Sequence, residues 1–583
     1  MRTLRSALAA VAFVAASSAL QAAPAPLAPQ GAPPAATFNR LHTYDEIVDL
    51  LKAYAAAYPQ WTRLESIGKS GQGRDLWMIT LTNPATGPEL AKPAMYIDGN
   101  THANEVQGGE TALYTVDFLL RNYGRLPRVT EMLDRSVFYV LPVVNPDGRA
   151  LWFTGPSNPD YPRTVMVPRD DDRDGKVDED GPDDLDGDGF ITTMRKKVPL
   201  GQGTHRLDPK DPRLLVAVQP GELGDYLLLG EEGIDNDGDG RINEDPVGYV
   251  DPNRTWGYSW EPEYVQSGAG AYPLSIPESR SIALWAMKHP NIAAVQSYHN
   301  NGQMILRGPG AKNDRPYPPQ DLKAYDLIGK EGEKLLPGYR YFISWKDLYT
   351  VHGATTDHFY NLMGVLAFTN EMYNPPADFD KNGEVSEAEL MKFNDELTLG
   401  REFVDWHPYN HPQYGWIEIG GFKRDVGRVP EGWALEDETH RNNAFALLNA
   451  YHLPRLSIGE PIVRKAGEHL WKIEVPVLND RAIPSMTAMA AQNKLHRQDV
   501  ATVTGGKVIA SGIVNDPYLD KIEIQDHRAD RLMVPGVDGL STRTLFFLVK
   551  GDGEVTVHFD SLKGGQLARK VALRETVQAK PAM

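Results

Sequence analysis

The stretch Tyr96-Ile97-Asp98-Gly99-Asn100-Thr101-His102-Ala103-Asn104-Glu105 reads as a short apolar strand ending in a loop that offers an imidazole and a carboxylate three residues apart. His nitrogen and Glu oxygen both bind zinc at about 2 Å, and a catalytic zinc keeps three protein ligands with one position open. His102 and Glu105 supply two of the three, so the third must come from a distant part of the chain. Alone, H-x-x-E is a weak signal, because most such pairs are neighbours on a helix surface. Its weight comes from what surrounds it.

The elements that must position this loop alternate between helix and strand. Helical patterns cover 44–58, 110–122, 279–288 and 321–335, and strand patterns cover 75–82, 94–98, 136–144, 292–297 and 365–369. This is an α/β layout, in which sites lie outside the carboxyl ends of the strands. His102, His299 and Glu371 each follow such an end. After about residue 455 no helical period survives. Short strand-like runs at 471–477, 506–511, 521–525, 544–549 and 554–559, separated by Gly, Asp and Pro, indicate a separate small β-sandwich.

Read together, residues 40 to about 405 resemble the zinc carboxypeptidases of the carboxypeptidase A type, with the motifs in family order. Ser66-Ile67-Gly68-Lys69-Ser70 with Gly73-Arg74 is similar to the family's opening strand pair, and Asn145-Pro146-Asp147-Gly148 to its turn beneath the site. The resemblance implies a mixed central sheet flanked by helices, one catalytic zinc on His102, Glu105 and His299, and a substrate with a free peptide C-terminus. Glu371 takes the general-base position, and Arg195, in Met194-Arg195-Lys196, that of the arginine stabilising the transition state. Asn253, Arg254 and Tyr349 correspond to the clamp on the terminal carboxylate. Thr356 corresponds to the position that selects the last side chain, which implies a roomy uncharged pocket, with Arg307 and His352 as residues that could reach it. Two departures stand out. Asn104 replaces an arginine common in the H-x-x-E motif, and acidic islands lengthen the stretch between Glu105 and His299.

Those islands have a chemistry of their own. Asp378-x-Asp380-x-Asn382-Gly383-Glu384-x-Ser386-x-x-Glu389 matches a twelve-residue EF-hand loop. Asp170-x-Asp172-x-Asp174-Gly175 with Asp178, Asp184-x-Asp186-x-Asp188-Gly189, and Asp235-x-Asp237-x-Asp239-Gly240 repeat its first half without the closing Glu. Carboxylates at this spacing suit several structural Ca²⁺ ions.

Composition sets the remaining bounds. The net charge of −18 is almost entirely local: 170–189, 235–245 and 378–389 carry 11, 5 and 5 acids against 2, 1 and 1 bases. With no basic face, nucleic-acid binding is not expected. Zero cysteines exclude disulfides and thiolate sites. A basic start followed by an apolar run from Ala7 to Leu20 reads as a signal peptide over 1–23, placing the mature protein outside the cytoplasm, secreted or periplasmic, with no integral membrane segment. The expected order is then a disordered leader (24–39) and a catalytic domain (40–405) with acidic insertions at about 165–250 and 376–392. A connecting segment (406–455) and the β-sandwich (456–583) follow. Two competing readings share these residues: a peptidoglycan stem-peptide hydrolase, and a calcium-dependent binding protein on an inactive peptidase scaffold.

Overall fold

The computed structural model describes residues 27–576 except 32, 156–161, 424–425 and 517, so the expected signal peptide lies outside the described residues. Eight strands form the central sheet: β1 (Thr62–Lys69), β2 (Asp75–Leu81), β3 (Ala94–Gly99), β4 (Val137–Leu141), β9 (Ile292–Asn300), β10 (Met304–Arg307), β11 (Arg340–Ile343) and β12 (Leu366–Met372). Their order is β1-β2-β4-β3-β9-β12-β10-β11. The middle four run parallel and antiparallel neighbours flank them, which makes the sheet mixed, as expected. Every residue of β3 and β9 is buried, the pattern of interior parallel strands covered on both faces.

Helices cover both faces. On one lie α1 (Tyr44–Ala57), α2 (Gln107–Asn122), α3 (Pro127–Arg135), α6 (Pro319–Leu335) and α9 (Gly432–Tyr451); on the other lie α5 (Pro277–Met287) and α7 (Thr355–Met363). α1 shows why such helices start and dock where they do. Thr43 and Glu46 form a reciprocal capping box, and Ile47, Leu51 and Tyr54 fall on its buried side. No helix among the described residues is long and apolar enough to cross a membrane.

A second sheet has the order β13 (Phe403–His411), β14 (Gly415–Phe422), β5 (Thr193–Lys197), β8 (Tyr226–Glu231), β6 (His205–Leu207), β7 (Leu215–Ala217). At the C-terminal end, ten strands between Leu456 and Ala572 build two further antiparallel sheets around a core that includes Ile473, Val475, Phe547 and Phe559. The short helix α10 (Ala488–Asn493) belongs to this domain.

Three expectations are corrected here. The leader is laid onto the protein from residue 27: Gln30 N–H donates to Ala57 O, Arg121 donates to Pro34 O, and Phe38 is buried against Tyr114. Residues 406–455 are structural rather than connecting, because they supply two strands of the second sheet and the whole of α9, whose Phe445 and Ala446 enter the central core. Asn145-Pro146-Asp147-Gly148 is the start of α4 (Pro146–Thr154), with Asn145 Oδ1 capping Gly148 N–H and proline at the first helical position.

Candidate metal centre and active site

The His102 loop leaves the end of β3 under tight control. A Cβ on Gly99 would sit 2.3 Å from Gly108 O, so only glycine lets the first turn of α2 close against the strand end. Asn100 turns the chain with φ 54° and donates its side-chain amide to His102 O and Ala103 O. The fully buried Arg149 of α4 donates to Asn100 Oδ1 from the other side.

This turn brings His102 Nδ1 to 2.8 Å from Glu105 Oε1 and 3.3 Å from His299 Nδ1, which in turn lies 2.9 Å from Glu105 Oε2. All three side chains are buried. Two imidazole nitrogens turned to one point beside a carboxylate are a metal donor set. Ligands about 2.05 Å from a tetrahedral ion stand about 3.3 Å apart, so the spacing fits zinc. His102 Nε2 lies 3.0 Å from Asp251 Oδ1, the outward carboxylate partner that metal-binding histidines use to fix ring and tautomer.

Glu371 stands beside this triad for a topological reason. β9 and β12 are parallel neighbours, and their ladder puts Glu371 opposite His299. Burial, then the charge of Glu105, pushes the Glu371 carboxyl up to about 7, against His299, Arg163 and Arg428. Arg163 completes the inner surface. Its guanidinium lies 3.0 Å from His102 Nε2, 3.3 Å from Asp251 Oδ2 and 3.4 Å from Glu105 Oε1, and Ala103 N–H donates to its carbonyl. Burial alone would raise Asp251, but His102, Arg254 and Arg163 outweigh it and hold that carboxyl well below the usual range.

The family model described as zinc carboxypeptidase matches residues 47–177 and 231–382. The chain belongs to the zinc carboxypeptidase family. A second model, of a domain of unknown function, matches 455–572. Carboxypeptidase D of Anas platyrhynchos is 35% identical over 109 residues, which are 19% of this chain and 8% of that protein. Carboxypeptidase Z of Mus musculus is 38% identical over 124 residues, 21% of this chain and 18% of that protein. The chain thus matches only a small part of the length of these curated relatives. Among solved structures, carboxypeptidase A from Helicoverpa armigera is 17% identical with a TM-score of 0.43, covering 71% of this chain and 75% of that one.

The remaining expected site residues fall into two groups. Asn253, Arg254, Tyr349 and Thr356 gather on one side. Arg254 Nη2 is 3.5 Å from the half-exposed Tyr349 hydroxyl, and Asn253 Oδ1 accepts from both the backbone N–H and the hydroxyl of Thr355. Thr356 is buried in the first turn of α7. Arg307 is committed elsewhere, donating to Tyr341 Oη and Gly308 O, and His352 Nδ1 lies against Ser259.

Arg195, expected as the arginine stabilising the transition state, has its contacts elsewhere. It sits in β5 of the second sheet, its Nε 2.8 Å from Glu418 Oε2 and its guanidinium 3.9 Å from the Trp406 ring centre. Among the described residues the arginine touching the triad is Arg163. Sequence reading missed both Arg163 and Asp251. Asp251 was findable, since it stands two residues before Asn253 and a metal-bound histidine wants a carboxylate on its outer nitrogen.

The acidic loops share one backbone plan. The glycine at position six donates to the first aspartate in each: Gly175 to Asp170, Gly189 to Asp184, Gly240 to Asp235 and Gly383 to Asp378. Asp172, Asp186, Asp237 and Asp380 each accept from the backbone N–H two residues on, and so do Asp174, Asp188, Asp239 and Asn382. In the last loop Glu389 accepts from Phe379, Asp380 and Ser386, and the exposed Glu384 precedes α8 (Glu387–Glu396). Asp178 accepts from Arg169 N–H and Gly248 N–H.

Proposed function

We propose that this chain is an exported zinc metallocarboxypeptidase, hydrolysing the last peptide bond of substrates with a free C-terminus, with calcium holding its acidic loops. The observation that carries the reading is Glu371 in register beside His299, the third member of a buried His102–Glu105–His299 triad. Bound zinc would supply Lewis acidity to the scissile carbonyl and to a water molecule. Glu371 takes the attacking water's proton and passes it to the leaving amine, a task suited to a carboxyl pushed up to about 7 by burial and by Glu105. Asp251 holds the His102 ring with its second nitrogen protonated. Arg163 is placed to donate to the oxyanion that develops beside the triad.

Arg254, Tyr349 and Asn253 hold the terminal carboxylate, a planar anion that suits a guanidinium fork. Because Thr355 occupies Asn253 Oδ1, the amide nitrogen is the group that asparagine offers an anion. Thr356 supports release of neutral, mostly apolar or aromatic residues, since burying an unpaired ammonium or guanidinium beside it costs several kcal/mol. Export is supported by the pattern over 1–23, and calcium by the four repeated loops.

The test is a set of matched peptides with free or amidated C-termini. The protein should release the last residue of the free peptides and spare the amidated ones. Glu371→Gln should keep its zinc by metal analysis while losing about two to four powers of ten in turnover. Cleavage of amidated peptides at an equal rate, or a Glu371→Gln variant within a few-fold of the parent, would overturn the reading.

A further inference from the structure

The segments 170–180 and 235–245 are far apart in sequence, yet the fold zips them together. Asp245 N–H donates to Asp180 O, and Asp180 Oδ1 accepts from Asn243 N–H. Between them they hold twelve acids and three bases. Their carboxylates do not stay within their own repeats. Ligand atoms of Asp170, Asp172 and Asp245 lie within 4.8 Å of one another, and so do those of Asp180, Asp237 and Glu244. Each group joins one segment to the other.

Acid clustering alone would say little, but Asp245 adds a separate observation. It is 1% exposed, and neither of its carboxylate oxygens makes a well-formed hydrogen bond, although Glu179 and the Asp171 backbone lie beside it. A buried carboxylate held this way, turned toward Asp170 and Asp172 and beside a further acid, calls for a cation. Oxygen ligands alone, several of them charged, with no histidine in either group, suit Ca²⁺. Asp245 and Glu244 lie just behind the six-residue pattern of the Asp235 loop, and their pairing with carboxylates of the other segment is visible only in the folded chain.

We propose that calcium binds between the two segments, with Asp245 closing the set begun by Asp170 and Asp172, and that this shared site fixes Arg163 and Asp251 at the metal triad. The second part rests on the peptidase reading given above. The link is short. Val165 and Val250 form a bridge, with Val165 N–H donating to Val250 O at 2.9 Å. Arg163 precedes that bridge by two residues and Asp251 follows it by one. Asp178 reinforces it by accepting from Gly248, and Arg169 stacks on Tyr249. With calcium removed, repulsion between the acidic segments works directly against this bridge.

The experiment uses the full chain with zinc kept saturating, titrated calorimetrically with calcium chloride. Asp245→Asn should lose at least one calcium equivalent or bind it at least about tenfold more weakly, because ligand charge sets affinity. Asp378→Asn, in the separate loop, should leave that equivalent in place. On calcium removal from the parent, hydrogen exchange should rise together in 163–180 and 245–254. Unchanged calcium binding in Asp245→Asn, or unchanged exchange in these two segments, overturns the shared site. Should Asp245→Asn fail to fold, the parent's exchange decides. None of these readouts needs peptidase activity, so failure of the peptidase reading would appear separately, in the peptide assays.

Discussion

Arg163 and Arg195 show how far single residues can be read from sequence. Both are arginines between the H-x-x-E motif and Asn253, and Arg195 sits in the more suggestive company of Met194 and Lys196. What separates them is partners. Glu418, 223 residues further on, claims Arg195, whereas Arg163 lies against His102 and Asp251. No local pattern carries that information. The triad itself was legible, because a strand end fixes where His102 and His299 must point. Arg195→Ala should therefore leave kcat within a few-fold, while Arg163→Ala should lower kcat about 10²–10³-fold, as expected for loss of one oxyanion donor. Single-turnover rates on one free peptide, with zinc content checked, decide between them. A large loss in Arg195→Ala with full activity in Arg163→Ala would reverse the assignment.

At the scale of elements, the strands bearing the site were legible because β3, β9 and β12 each open on a short apolar run. α9 was not. Its buried stripe carries Thr439, Asn442, Asn443 and Asn449 alongside Leu435 and Phe445, so the apolar period is broken. Of these polar groups Asn442 is the paired one: it accepts from Asn370 and donates to Tyr339 Oη and Glu438 O. The apolar anchor is Phe445, edge-on to Phe368 in the strand that carries Glu371. Gly332 of α6 makes room for it, since a Cβ there would lie 2.4 Å from the ring. Phe445→Ala should cost about 3–5 kcal/mol in urea unfolding, the range for large aromatic truncations in a core. A loss below about 1 kcal/mol would mean that α9 is a cover and not part of the core.

At the scale of the whole molecule, sequence separated the C-terminal sheets correctly but gave no hint of how they are joined to the rest. Asp321 of α6 accepts from Ala488 and Met489 N–H at the start of α10, and Glu131 of α3 pairs with Arg455 and Arg481. The deepest contact is Lys563. Its Nζ lies 2.7 Å from Ile292 O, 3.1 Å from Met363 O and 3.3 Å from Gly364 O, at the start of β9 and the end of α7. A lone lysine in Leu562-Lys563-Gly564 looks like surface in sequence; here it is fully enclosed, and burial pushes it down to about 7. The sign of the resulting linkage is definite. The unfolded chain keeps this proton up to its ordinary value near 10.4, whereas the folded state releases it above about 7. Between those limits unfolding takes up a proton, so raising the pH favours the folded state by at most about 1.4 kcal/mol per pH unit. The stability contribution is complete above the unfolded value and is lost as the pH falls toward 7. Lys563→Met removes the titration along with the amine's contacts to these carbonyls. The stability of the parent relative to the variant should therefore rise steadily from pH 7.5 to 9.5 in denaturant unfolding. A gap that stays flat over that range would mean that the three carbonyls and the C-terminal end of α7 keep Lys563 charged.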